Sequence, residues 1–248
     1  MSGGRAFLEA RDLLLHCRED YGRALREFRW PALDRFNWVS DYFEHIAQGN
    51  QAPALRLIDD AGADETLSFA QMARRSRQVA AFLAGEGVRA GDRILIMLPN
   101  CVPLWETMLA AVRLGAVIIP ATTLLESGDL RDRLERGQVK VVVTLSGLAL
   151  RFAALPGAPV RIAVGPTVPG WVPYQRSHET EPDLRAVATR AEDLLLLYFT
   201  SGTTARPKLV AHTHVSYPVG HLSTMYWLGL RPGDVHLNLS SPGWAKHA

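Results

Sequence analysis

Between Arg93 and Val164 the chain alternates short apolar runs with charged amphipathic stretches, and this alternation restricts the fold more than any other feature. Arg93-Ile94-Leu95-Ile96-Met97-Leu98 carries no polar residue after its first. A strand with one wet face would alternate in polarity. A run apolar on both faces belongs inside a parallel sheet covered by helices on each side. The unit recurs at Val117-Ile118-Ile119, ended by Pro120, at Val139 to Thr144, and at Val160 to Val164. Between these runs, Val102, Trp105, Leu109 and Val112 form a helical stripe stopped by Gly115. Leu130 and Leu134 mark a charged amphipathic helix stopped by Gly137, and a small helix is expected from Ser146 to Leu155. Upstream, Ser68-Phe69-Ala70-Gln71 has the capping-box pattern, opening a helix that Gly85 and Gly87 end. The fold class that follows is α/β, a doubly wound sheet module with right-handed crossovers.

The flanking segments complete the layout. Residues 1–66 read as an amino-terminal arm and first strand: helical character over 4–28, an interruption at Trp30-Pro31, aromatic anchors Phe36 and Trp38, a short helix from Asp41 to Gln48, and a strand from Leu55 to Asp60. Residues 67–164 are the first α/β sheet module. Residues 165–190 hold four prolines and two glycines with little periodicity, and read as an exposed connection. Residues 191–248 read as the start of a second α/β module. It comprises an apolar strand from Leu194, a returning strand at Leu209-Val210-Ala211, a helix over 214–228 and a strand at Val235 to Leu239.

Composition narrows the function classes. The 248 residues are 48% hydrophobic, enough for a sizeable core, and the net charge of +2 does not mark a nucleic-acid binder. Cys17 and Cys101 are far apart and lack metal-ligand spacing, which fits ordinary thiols in a reducing, cytoplasmic setting. Arg5, Glu9, Arg11 and Asp12 stand where a leader peptide would be apolar, and no apolar run is long enough to span a membrane. Arg74, Arg75 and Arg77 read as a solvated basic face. A His212-x-His214 pair on a strand would turn both rings to one side. Ordinary polar histidines are the favoured reading there, and no metal site is assigned.

Chemistry concentrates after the apolar run Leu194 to Leu197. In Tyr198-Phe199-Thr200-Ser201-Gly202-Thr203-Thr204-Ala205-Arg206-Pro207-Lys208, three threonines, one serine and one glycine occupy five successive positions and a lysine closes the stretch. Such a loop can turn backbone N–H groups and hydroxyls around a polyanion, with Gly202 permitting close approach and Lys208 adding a point charge. By composition alone a plain turn is an equal reading, and the string is not a Walker A sequence. The order of residues separates the two. It resembles the signature loop of adenylate-forming enzymes, the acyl-CoA synthetase, luciferase and adenylation-domain superfamily, whose usual form is Tyr-Thr-Ser-Gly-Thr-Thr-Gly-x-Pro-Lys. Ala205 departs from it, standing where the family has a second glycine. The segments Asp20-Tyr21 through Trp30-Pro31, Phe36-Asn37-Trp38, Asp92 to Asn100 and Gly115 to Pro120 are similar to the acetyl- and medium-chain acyl-CoA synthetase branch. Ser241-Pro242-Gly243-Trp244 resembles that branch's Asp-x-Gly-Trp, with serine in place of aspartate.

The resemblance implies activation of a carboxylic acid by ATP and Mg²⁺ as an acyl-adenylate, then transfer to coenzyme A. It implies phosphate contacts from Thr200, Ser201, Gly202, Thr203, Thr204 and Lys208, and a place for Trp244 in or beneath the acyl pocket, where core packing is an equal alternative. It covers about the first half of a typical member, so the adenine, ribose, magnesium and carboxy-terminal lysine positions have no counterpart here and no catalytic residue is assigned. The expectation is an amino-terminal part of a synthetase, incomplete as a catalyst. The alternative is a non-catalytic nucleotide- or acyl-binding module that pairs with a separate carboxy-terminal chain. Apolar strands left without neighbours, Leu194 to Leu197 and Val235 to Leu239, predict homodimerisation or aggregation.

Overall fold

The computed structural model describes residues 3–247 except 59, 60, 63, 156, 158, 183, 184, 201–206, 245 and 246. The arm opens with helices α1 (Gly3–His16) and α2 (Tyr21–Glu27), the second capped by Asp20, whose carboxylate accepts from the Arg23 amide at 2.8 Å. The aromatic anchor then locks down. Phe36 is buried, and the Asn37 amide donates to the Val112 carbonyl at 2.7 Å. Thr189 Oγ1 donates to the Phe36 carbonyl at 2.7 Å, so the arm is tied to the far end of the 165–190 connection. A π-turn at Val39–Phe43 leads into α3 (Glu44–Ala47), and β1 (Pro53–Ile58) pairs antiparallel with β2 (Asp64–Ser68) in a separate two-stranded sheet.

The main body follows the expected alternation. Ser68 and Gln71 form the capping box that starts α4 (Phe69–Gly85). Then come β3 (Arg93–Met97), α5 (Val102–Leu114), β4 (Val117–Pro120), α6 (Ser127–Gly137), β5 (Val141–Leu145) and, after a 3₁₀ segment at Ser146–Phe152, β6 (Val160–Val164). Gly115 ends α5 at φ +66, a conformation L residues adopt reluctantly, and a Cβ there would lie 2.9 Å from Thr189. The connection holds more order than its prolines indicate: a two-residue strand β7 (Val172–Pro173) extends the sheet, followed by a 3₁₀ turn at Tyr174–His178.

The sheet order is β7-β6-β5-β3-β4-β8-β9. Sequence reasoning expects a second sheet to open at Leu194. Instead β8 (Leu194–Thr200) runs parallel to β4, and β9 (Lys208–Thr213) returns antiparallel on its outer side, so both belong to this one seven-stranded sheet. The free edge of β4 supplies hydrogen-bond partners to a strand apolar on both faces, and Leu195, Leu196 and Leu197 are buried rather than uncovered. The last helix is α7 (Ser216–Leu228), which tolerates Pro218 in its first turn.

Alternate side chains divide between two cores. Ile94, Ile96, Ile118, Val141, Val143 and Tyr198 face α4 and α5; Leu95, Met97, Val117, Ile119, Val142 and Leu197 face α6 and Phe152. This division is the doubly wound arrangement seen from the side chains. Each fully buried Ile or Leu contributes about 1.5–3 kcal/mol, which is why the register of these strands resists slippage.

Two further expectations fail. Arg75 is not on a solvated face: its side chain is 14% exposed, and its guanidinium meets the buried Glu106 carboxylate at 2.9 Å, with Tyr174 OH donating to the same carboxylate at 2.7 Å. The α5 helix supplies a buried acid opposite α4, and the Arg75 guanidinium reaches both of its oxygens. Val235–Leu239 is not a strand; the segment has no ladder partner among the described residues, and Val235 is 95% exposed.

Candidate functional site

Because β3, β4 and β8 are parallel neighbours, the residues that follow them emerge along one edge of the sheet. Clefts outside the carboxyl ends of parallel strands are where open α/β sheets bind ligands. The segment after β3 brings Asn100 and Cys101, the segment after β4 brings Ala121 and Thr122, and β8 leads into the hydroxyl-rich stretch. The chain's last residues return to this edge. Gly243 packs so closely on Ala121 and Thr122 that a Cβ there would lie 2.5 Å from the Thr122 nitrogen. His247 Nε2 lies 2.6 Å from Asn100 Oδ1, and its ring stacks on Trp105 at 5.0 Å.

The expected phosphate contacts divide into stems and tip. Thr200 ends β8 and Lys208 opens β9, paired across the ladder, with Thr200 Oγ1 donating to the Lys208 carbonyl at 3.4 Å. Lys208 is exposed. Ser201, Gly202, Thr203 and Thr204 lie outside the described residues, as do Ala205 and Arg206. Trp244 sits at the same edge, 61% exposed.

The stems rest on α6. The Arg133 and Arg136 guanidinium carbons lie 5.3 and 5.4 Å from the centre of the Phe199 ring, and Arg136 Nη2 donates to the Pro207 carbonyl at 2.9 Å. Asp132 fixes Arg136 from its other side at 2.9 Å. Sequence reasoning does not find these two arginines. Their i,i+3 spacing beside Asp129, Asp132 and Glu135 is what an exposed charged helix face also shows.

On the α4/α5 face lies a cleft of about 1420 Å³ between α5, the β1–β2 hairpin and α7, lined largely by apolar side chains such as Leu55, Leu57, Met108, Leu109 and Leu222. Asn100, Cys101, Glu106, Asn238 and His247 give it polar groups. Burial pushes the Cys101 thiol up to about 11, which leaves it uncharged and a poor nucleophile at neutral pH. His212 and His214 do not act together. His212 packs edge-on to Tyr217 at 5.0 Å, whereas His214 is fully buried and neither ring nitrogen has a partner among the described residues. Among the described residues no three His, Cys, Asp or Glu side chains group to hold a metal ion. None of the described helices is long and apolar enough to cross a membrane.

Comparisons with known proteins show which family the chain resembles. The AMP-binding enzyme family matches residues 43–246. The human protein "Acyl-coenzyme A synthetase ACSM5, mitochondrial" is 33% identical over 227 residues, 86% of this chain and 39% of that protein. The "4-hydroxybutyrate--CoA ligase 1" of Metallosphaera sedula is 35% identical over 225 residues, 87% of this chain and 39% of that protein. The solved acyl-CoA synthetase of Brucella canis superposes with a TM-score of 0.76 at 25% identity, over 91% of this chain and 44% of its own. The chain thus spans about 40% of the length of the curated relatives it matches.

Proposed function

The chain belongs to the AMP-binding enzyme family, and from that membership we propose that it forms part of an ATP-dependent acyl-CoA synthetase that activates a carboxylic acid. In the first half-reaction a carboxylate oxygen attacks the α-phosphorus of ATP, the bond from that phosphorus to the bridging oxygen breaks, and pyrophosphate leaves. In the second, the coenzyme A sulfur attacks the acyl carbon of the adenylate and AMP departs. In-line transfer of this kind depends on positioning and charge neutralisation more than on covalent help from the protein.

The observation that carries the reading is the residue sequence from Phe199 to Lys208, whose flanking strand ends Thr200 and Lys208 pair at the carboxyl edge of a parallel sheet. In this reading Thr200, Ser201, Gly202, Thr203 and Thr204 hold the β- and γ-phosphates, with Lys208 neutralising charge as pyrophosphate separates. The large apolar cleft receives the acid's apolar part, and Trp244 forms a wall near the carboxylate. Among the described residues no group of side chains is set to hold Mg²⁺, and no step is assigned to a protein ligand of the ion. A cytoplasmic setting completes the reading, as does self-association through the exposed Trp227, Val235, Leu237 and Leu239.

Calorimetry on the 248-residue chain with pyrophosphate and MgATP tests it. Binding heat is expected, and is expected to vanish in a Thr203→Ala, Lys208→Ala double variant. No heat at millimolar pyrophosphate would refute the phosphate assignment.

A further inference from the structure

We propose that Phe7 of α1, braced by Tyr42, is the end wall of the large apolar cleft and sets the length of acid the site accepts, an unsubstituted alkyl chain of about twelve carbons. The inference rests on the reading that this cleft receives the acid's apolar part, and it names the residue that limits it.

The cleft has a near end and a far end. Helix α5 starts after β3, at the carboxyl edge, and runs back along the sheet because it joins two parallel strands. Asn100, Trp105 and His247 meet at its start, the near end. In the last turn of α5 the Val112 carbonyl accepts from Asn37 of the arm, which marks the far end. Helix α7 begins there too, since it follows Thr213, the partner of Leu194 at the opposite edge of the sheet. Phe7 lines the cleft at this end. It is 4% exposed and clusters with Val219 and Leu222 of α7. Its ring lies 5.1 Å from Phe36 and meets Tyr42 edge-on at 5.3 Å. Arg11, one turn further along α1, covers the Tyr42 ring and donates to its hydroxyl at 3.0 Å, while Asp12 holds the Arg11 Nε at 2.8 Å. A ring packed on three sides is a rigid stop.

The lining residues of α5 run from Val102 to Val112, a helical rise of about 15 Å. An extended chain advances roughly 1.2 Å per bond, a third of the rise per residue of extended backbone, so about twelve bonds fill that distance. Polar groups along the way are already engaged. Glu106 is held by Arg75 and Tyr174, Asn100 by His247, and Arg11 by Asp12 and Tyr42. His221 Nδ1 lies 2.7 Å from the Tyr217 carbonyl. The Trp105 indole N–H has no partner among the described residues, but it is sealed from solvent and so from a ligand's tail. A hydroxyl carried to the far end would give up water and gain no partner in return, which selects against it.

The test measures calorimetric binding of straight-chain acids of six to sixteen carbons, each below its micelle concentration, to the 248-residue chain. Affinity is expected to rise about fourfold per methylene, and to stop rising at about twelve carbons. The twelve-carbon acid hydroxylated at its far end should bind about tenfold more weakly than the plain acid; equal binding would overturn the selection for an alkyl end. Phe7→Ala opens the wall and should bind the sixteen-carbon acid about tenfold more tightly than the wild type does, the effect of about two further buried methylenes. A loosened fold does not produce such a gain. Should Phe7→Ala fail to fold, Phe7→Leu reads the same shift at smaller size. Met108→Trp, midway along α5, should move the break to about eight carbons. A break that Met108→Trp shortens but neither Phe7 variant moves would overturn the wall alone, leaving the acid in the cleft. A wild-type chain that binds none of the acids would overturn the cleft reading, and this inference with it.

Discussion

Lowering the pH through the histidine range should unfold this chain sooner than its His214→Leu variant. His214 is fully buried at the end of β9, and neither ring nitrogen has a hydrogen-bond partner among the described residues. Burial disfavours the imidazolium and carries the group from its ordinary 6.5 down to about 4, against a smaller opposing pull from Asp193. The sign follows from proton counting. Between pH 6.5 and 4 the unfolded chain holds a proton that the folded chain refuses, so stability is complete above 6.5, falls as the pH drops, and levels off below about 4. That gap, at about 1.4 kcal/mol per pH unit, amounts to roughly 3 kcal/mol. For a domain of this size it is roughly 6–12 °C in unfolding midpoint. Leucine nearly matches the volume and carries no proton, so His214→Leu should be at least as stable at pH 7.5 and should lose roughly 3 kcal/mol less on transfer to pH 4. Urea unfolding at both pH values measures the difference, and titrations shared by the two chains cancel in it. Equal pH losses in the two proteins would refute the claim that this ring is buried and unpaired.

Two further outcomes follow from other residues. Glu106→Leu strands the Arg75 guanidinium and the Tyr174 hydroxyl in a nearly closed site, and should cost about 3–5 kcal/mol. Arg75→Met added to it should recover a large part, so a urea double-variant cycle that shows simple additivity would contradict the buried pair. Ala205→Gly restores the family's second glycine and should tighten pyrophosphate binding roughly fivefold by calorimetry, about 1 kcal/mol; unchanged affinity would show that pyrophosphate binding does not depend on a second glycine there.

Much of the architecture was legible because its strands are apolar on both faces. Arg93 to Leu98 could only lie inside a covered parallel sheet, and Ser68 with Gln71 marked a helix start that the structure reproduces to the residue. Residues whose meaning depends on a distant partner were not legible. Arg75 reads as solvated until α5 brings Glu106 to it across 31 positions, and nothing in the sequence marks Arg136 until Pro207 arrives from 71 positions away. The strand expected at Val235 to Leu239 had the right alternation, but pairing needs a neighbour that periodicity cannot supply.

The sequence by itself determined the order of elements, the two-faced burial of the central strands and the family resemblance of the loop, because each of these is written in local pattern. Only the tertiary structure decided that β8 and β9 join the first sheet, that the loop's stems rest on α6, and that His214 is sealed from water. Those facts depend on which free edge, ring or carbonyl stands opposite a residue once the chain has closed on itself, and a one-dimensional pattern holds no record of what lies across the fold.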